Sequence, residues 1–202
     1  MSLKKIFLNY EAILFDLDGT LIDSKNSILR TLETSLAKNS IFLEEPINES
    51  VIGMPLDSTI RSIVGDVSQS KIKKIITSFI DEYDESGWKK CRLYPGVRSL
   101  IESLINKDIY IVTNKRKAPT LLILNKLSMS HLFKKVYSID SFKKKITSKK
   151  ELLAKVLREE KIKKEKSLYV GDTDFDQEAS KKNGIDFLRM DHISEPFLKK
   201  NK

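Results

Sequence analysis

Five short apolar runs, spaced by helical patterns, constrain this chain more than any other feature. They are "AILFD" (12–16), "IYIVT" (109–113), "KVYSI" (135–139), "SLYVGD" (167–172) and "DFLRM" (186–190). None shows the strict apolar–polar alternation of a strand with one wet face, so they read as strands of a parallel sheet covered on both sides. "PGVRSLIESLIN" places Val97, Leu100, Ile101, Leu104 and Ile105 on one helical face, and "APTLLILNKLS" follows the second strand. "SKKELLAKVLREE" opens with Ser148-x-x-Glu151, a capping-box pattern, and "DQEASKKNG" ends on Gly184, a C-terminal cap. Strands alternating with helices predict an α/β fold, a doubly wound parallel sheet of Rossmann type.

One region breaks the alternation. From Ser24 to about Lys90 there is no strand pattern. Ile28, Leu32 and Leu36 share one helical face, and Ile72, Ile75, Ile76, Phe79, Ile80 and Tyr83 share another. "VIGMPLDSTIRSIVG" between them reads as a Gly-Pro turn and a short amphipathic helix. The expected organisation is an α/β core from residues 1–22 and 91–202, interrupted by a small all-helical cap domain, 23–90. Such an insert after the first strand sits over the sheet's C-terminal edge, where open α/β sheets bind ligands.

Composition narrows the partners. No apolar run in the 202 residues approaches the roughly 20 needed to span a membrane, and the N-terminal stretch does not resemble a secretory signal. Cys91 is alone, which excludes an internal disulfide; a cytoplasmic protein is expected. The net charge of +9 favours anionic partners, but lysines such as Lys71, Lys73 and Lys74 lie along helix faces and in the tail "KKNK", without interleaved aromatics. They read as solvated faces, so nucleic acid and membrane are both disfavoured as partners, and a small phosphorylated metabolite is favoured. Nothing in the pattern specifies an oligomeric state.

The chemistry starts in "FDLDGTLIDS" (15–24). Asp16 ends the first strand, and Asp18 follows in a loop eased by Gly19. Asp172 ends another predicted strand in "GDTDFD". If those strands are neighbours, Asp16, Asp18 and Asp172 converge, and their repulsion calls for a cation. Hard oxygen ligands without His or Cys favour Mg²⁺. Thr113 closes the second strand with a hydroxyl and adjacent backbone N–H groups. Lys149, in the first turn of a helix, opposes the helix dipole, which suggests a task such as meeting a phosphate. The set suits phosphoryl transfer: Asp16 attacks phosphorus, water hydrolyses the aspartyl-phosphate, and Asp18 shuttles the proton.

"FDLDGTLIDS", "IVTNK", a downstream lysine and "YVGDTDFDQEA" resemble, in order, the four motifs of the haloacid dehalogenase-like hydrolase superfamily. The match spans essentially the whole chain. The helical insert, "YPGVRSLIESL" and "GDTDFDQEASKKNGI" resemble the phosphoglycolate phosphatase-like subgroup with its small helical cap. The resemblance implies Asp16 as nucleophile and Asp18 as acid/base, with Asp16, Asp18 (through its carbonyl) and Asp172 around Mg²⁺ and Asp176 as a further ligand or an outer partner of the site. It implies Thr113, the Asn114 backbone and Lys149 as phosphate-binding groups, and Gly19 and Thr20 as shaping the loop. Relatives usually carry proline after the third-motif lysine, whereas this chain reads "KKKITSKKELL"; Lys149 is favoured, with Lys150 and Lys145 as alternatives.

Lys25, Gly53 and Arg61 are cap candidates for facing the substrate, with Arg61 suited to an acidic leaving group but a solvated helix face the commoner use of such a residue. Asp23 fits a structural place at the hinge, and His131 and His192 match no ligand spacing. The resulting expectation is a Mg²⁺-dependent phosphatase acting on a small phosphate monoester through an aspartyl-phosphate. The alternatives are a sugar phosphomutase on the same core, or a non-catalytic binding protein. Halide displacement is disfavoured because it leaves Asp18 without a role. Phosphoglycolate, a nucleoside monophosphate, a sugar phosphate and a sialic-acid-type phosphate all remain candidate substrates.

Overall fold

A computed structural model describes residues 6–190. His192 and the basic tail lie outside the described residues. The core is one five-stranded parallel sheet in the order β5-β4-β1-β6-β7, built from β1 (Ala12–Phe15), β4 (Asp108–Thr113), β5 (Lys135–Ser138), β6 (Ser167–Gly171) and β7 (Asp186–Arg189). Strand β1 lies at the centre, with Phe15 opposite Ile111 on one side and Val170 on the other. The order reverses at β1, so the crevice at its C-terminal end is the topological switch point.

The absence of alternation in these strands has a direct cause. Ile13, Phe15, Ile109, Ile111, Leu168 and Val170 pack on one face of the sheet, against α4 (Val97–Glu102) and α5 (Lys117–Lys126). Leu14, Tyr110, Val112 and Tyr169 pack on the other, with Leu152, Leu153, Val156 and Ala179 of α6 (Lys149–Glu159) and α7 (Asp174–Asn183). Each fully buried side chain of this size contributes about 1.5–3 kcal/mol relative to an exposed one.

Local signals mostly land where the sequence places them. The Ser148 hydroxyl accepts from the Glu151 N–H, but the Glu151 carboxylate bonds to Thr147 instead of returning to Ser148, so the capping box is half closed. Gly184 ends α7 in the left-handed conformation. Helix α4 stops at Glu102, a turn sooner than its apolar spacing suggests, and Ile105 is therefore 62% exposed instead of joining the buried face.

Between β1 and β4 the chain forms α1 (Lys25–Lys38), α2 (Leu56–Val64) and α3 (Gln69–Glu85). They enclose their own apolar cluster, centred on Leu32, Leu36, Ile60, Ile72 and Ile75. Of the expected α3 face, Ile76, Phe79 and Ile80 are only half-buried. Two crossings join this bundle to the sheet, and they pair as an antiparallel ribbon of β2 (Ile22–Asp23) and β3 (Arg92–Leu93). Two-residue strands carry no periodicity, so the ribbon has no sequence signature. Among the described residues, no helix is long and apolar enough to cross a membrane.

Candidate active site

The register of the sheet sets the floor of the site. Asp16, one residue beyond β1, is buried, and its N–H donates to the Val170 carbonyl at 2.9 Å. Thr113, at the end of β4, is buried beside it. Asp172 follows β6, and its Oδ1 accepts from the Thr20 hydroxyl at 2.8 Å. Gly19 holds φ +81°, and a Cβ there would lie 2.1 Å from Asp172 Oδ2. Only glycine lets the loop after β1 approach the carboxylate so closely.

Helix α6 brings in the cation. Lys149, buried at the first position of α6, donates to Asp16 Oδ1 at 2.5 Å and lies 3.1 Å from Asp176 Oδ1. Lys145 and Lys150 are both exposed. Asp176 is fully buried on α7, where Oδ2 accepts from the Thr173 N–H and hydroxyl. Tyr169 donates to Asp176 Oδ1 at 3.2 Å. A helix-capping contact and the contact to Lys149 are thus made by the same side chain.

Burial dominates the electrostatics here. It pushes the Asp16 carboxyl up to about 7, against the attraction of Lys149 and with the repulsion of Asp176 and Asp172. Burial likewise raises Asp172 to about 6, despite the Thr20 hydrogen bond. At Asp176 burial acts upward too, but Lys149 and the Thr173 hydrogen bonds outweigh it and leave that carboxyl below the ordinary range. Burial acts downward on the Lys149 ammonium, yet Asp16 and Asp176 raise it well above the usual lysine range. Carboxylate oxygens of Asp16, Asp172 and Asp176 all lie within 4.8 Å of one another. An all-oxygen cluster of carboxyl groups, without His or Cys among the described residues, fits a hard divalent cation such as Mg²⁺.

The Asp18 carboxylate lies outside that cluster. It accepts from the Ser24 hydroxyl at 2.6 Å and from Lys115 Nζ at 3.0 and 3.1 Å. Lys115 also lies 4.5 Å from the centre of the Tyr83 ring on α3, tying the helical bundle to the sheet. Neither Lys115 nor Tyr83 stands out in the sequence: one is a further basic residue in "IVTNK", the other the last apolar position of a helix face. Arg189, which donates to the Asp172 carbonyl at 2.9 Å, carries no signal either.

Over this floor opens a cleft whose roof is formed by α1, α2 and α3, with Asp16, Asp18, Thr113 and Asn114 among its lining. Gly53 lines it as well, and its carbonyl accepts from Asn114 Nδ2 at 2.8 Å. Arg61 does not reach it: the side chain is exposed and bonds along its own bundle to Asp57 and Gln69. Lys25 pairs with Glu49 on the bundle surface, and Asp23 is exposed in β2 opposite Arg92. His131 is exposed, and Cys91 is a buried free thiol.

A five-stranded parallel sheet with acids at its switch point and a helical bundle above it is an architecture the chain shares with known hydrolases. Residues 13–190 match the haloacid dehalogenase-like hydrolase family, and the chain belongs to that family. It is 34% identical over 177 residues to a phosphoglycolate phosphatase of Aquifex aeolicus, covering 85% of this chain and 80% of the relative. It is 28% identical over 185 residues to a 5'-nucleotidase of Pseudomonas aeruginosa, covering 88% and 81%. A haloacid dehalogenase-like hydrolase from Streptococcus pneumoniae shares the fold with a TM-score of 0.79, at 24% identity, over 90% of this chain and 85% of that one.

Proposed function

We propose that this protein is a Mg²⁺-dependent phosphatase that hydrolyses a small phosphate monoester through an aspartyl-phosphate on Asp16. The observation that carries the reading is the buried Lys149 bridging Asp16 and Asp176 beside Asp172. Its two relatives named as a phosphoglycolate phosphatase and a 5'-nucleotidase support monoester hydrolysis. Residues 23–90 serve as the cap domain, and 1–22 with 91–202 as the catalytic core.

Asp16, Asp172 and Asp176, with the Asp18 carbonyl, would hold Mg²⁺, which supplies positive charge against the cluster and the phosphoryl oxygens. Lys149 orients Asp16 and favours its ionised form against the opposing effect of burial. Asp16 attacks phosphorus and the bond to the leaving oxygen breaks, while Asp18 gives that oxygen its proton. Asp18 then takes a proton from the water that attacks the aspartyl-phosphate, and phosphate leaves. The Thr113 hydroxyl and the Asn114 N–H bind the phosphoryl oxygens, a preorganised contribution that grows as charge spreads over them. Gly53 faces the substrate from the cap.

The test is phosphate release from para-nitrophenyl phosphate and acetyl phosphate. Release that needs Mg²⁺, stops with EDTA and is absent in Asp16→Asn is the expected result. Equal release by wild type and Asp16→Asn would sink the reading. Incubation with β-glucose 1-phosphate separates hydrolysis from phosphomutase chemistry: free phosphate is expected, not an isomerised sugar phosphate.

A further inference from the structure

The cleft has two unlike sides. Its floor holds every acid that lines it, whereas its roof is formed by Ile28, Leu32, Met54, Leu56, Phe79 and Tyr83. Among the described residues, the basic side chains lining the cleft are already engaged with carboxylates: Lys115 with Asp18, and Arg116 with Asp84 of α3. The hydroxyl of Thr59, the polar side chain of α2 that lines the roof, donates to the carbonyls of Val51 and Pro55. An anionic leaving group entering here would lose water against the apolar roof and compete with Asp18 and Asp84 for cations they already hold, which is unfavourable.

Asn114 adds a second, independent sign. Its Nδ2 is committed to the Gly53 carbonyl, which fixes the orientation of the amide. Its Oδ1 is buried and has no hydrogen-bond partner among the described residues. With no accessible surface that oxygen is closed to a ligand in the cleft, and with Nδ2 committed the side chain offers an anionic leaving group no free donor.

From these observations we infer that the substrate is the phosphate monoester of an uncharged alcohol, with an apolar or aromatic body against the roof, and not the monoester of a hydroxy acid. This inference rests on the monoesterase reading above. Tyr83 and Phe79 stack on each other, with ring centroids 5.5 Å apart, and offer a rigid face to such a body.

The experiment compares four phosphate donors with Mg²⁺ present: acetyl phosphate as a compact reference, 2-phosphoglycolate, its neutral amide isostere, and benzyl phosphate. The amide differs from the acid only in charge and in carrying N–H donors. Its kcat/KM is expected to exceed that of the acid by about tenfold or more, since mismatched buried polar groups discriminate at that level. Benzyl phosphate is also expected to exceed the acid, and Phe79→Ala should raise KM for benzyl phosphate more than for acetyl phosphate. Turnover of the acid equal to or faster than its amide, with acetyl phosphate hydrolysed, would overturn the inference and leave the phosphatase reading intact. No hydrolysis of any of the four would overturn both.

Discussion

Asp16 is a carboxyl group in which function and stability pull in opposite directions. Nucleophilic attack needs the ionised form, yet burial favours the protonated one and moves its titration to about 7. Asp16→Asn is expected to lower phosphate release by at least about a thousandfold, as loss of a covalent nucleophile does, measured by released phosphate under saturating Mg²⁺. The raised carboxyls of Asp16 and Asp172, at about 7 and about 6, also set a pH dependence. Between about pH 4 and 7 the unfolded chain has lost these protons while the metal-free folded state still holds them. The folded state binds more protons there, so its stability falls as pH rises through this window. Thermal melts in EDTA should therefore give a lower Tm at pH 7.5 than at 5.5, with a shallower slope for Asp16→Asn and in excess Mg²⁺. A Tm in EDTA that rises over that range would refute the assignment. The acids were legible because each follows a strand end. Lys149 is less legible than these acids, since Lys145, Lys149 and Lys150 share one segment and differ only in which one the helix turns inward.

Helix α6 delivers Lys149, so its N-cap belongs to the site as much as to the fold. Ser148 accepts the Glu151 N–H. Ser148→Ala is expected to cost about 1 kcal/mol, read from the urea midpoint, together with a lower kcat as the first turn frays. Gly19→Ala places a Cβ against Asp172 at a positive φ. Left-handed backbone alone costs a non-glycine residue about 1–2 kcal/mol, and the clash adds to it. The variant should show both a lower Tm and a weaker Mg²⁺-induced rise in Tm. Elements with strong patterns, β1, β4, β6 and the buried helices, could be read from the chain because burial on both faces leaves an unbroken apolar run. The β2–β3 ribbon could not, since its pairing links residues 22–23 to 92–93 across the entire bundle. The early end of α4 was hidden as well, because Ile105 continues the helical spacing although the chain has already turned.

At the scale of the molecule, a few contacts hold the helical bundle over the sheet: Asn114 to Gly53, Lys115 between Asp18 and Tyr83, and Arg116 to Asp84. A hydrogen bond of this kind contributes about 0.5–1.5 kcal/mol net. Asn114→Ala should accordingly speed amide hydrogen exchange several-fold in α1–α3 while leaving β1, β4 and β6 as protected as in wild type. Uniform loss of protection across sheet and bundle would argue against a separable cap. By itself the sequence determined the fold class, the family and the ends of the strands that bear Asp16, Thr113 and Asp172, because hydrophobic period and motif spacing are local properties of the chain. Only the tertiary structure decided that Lys149 faces inward, that Asp176 serves both a helix cap and an ion pair, that Arg61 is spent on its own bundle, and that Lys115 joins the two layers. These outcomes depend on distances between residues far apart in the chain, and such distances arise only when packing brings sheet and bundle together.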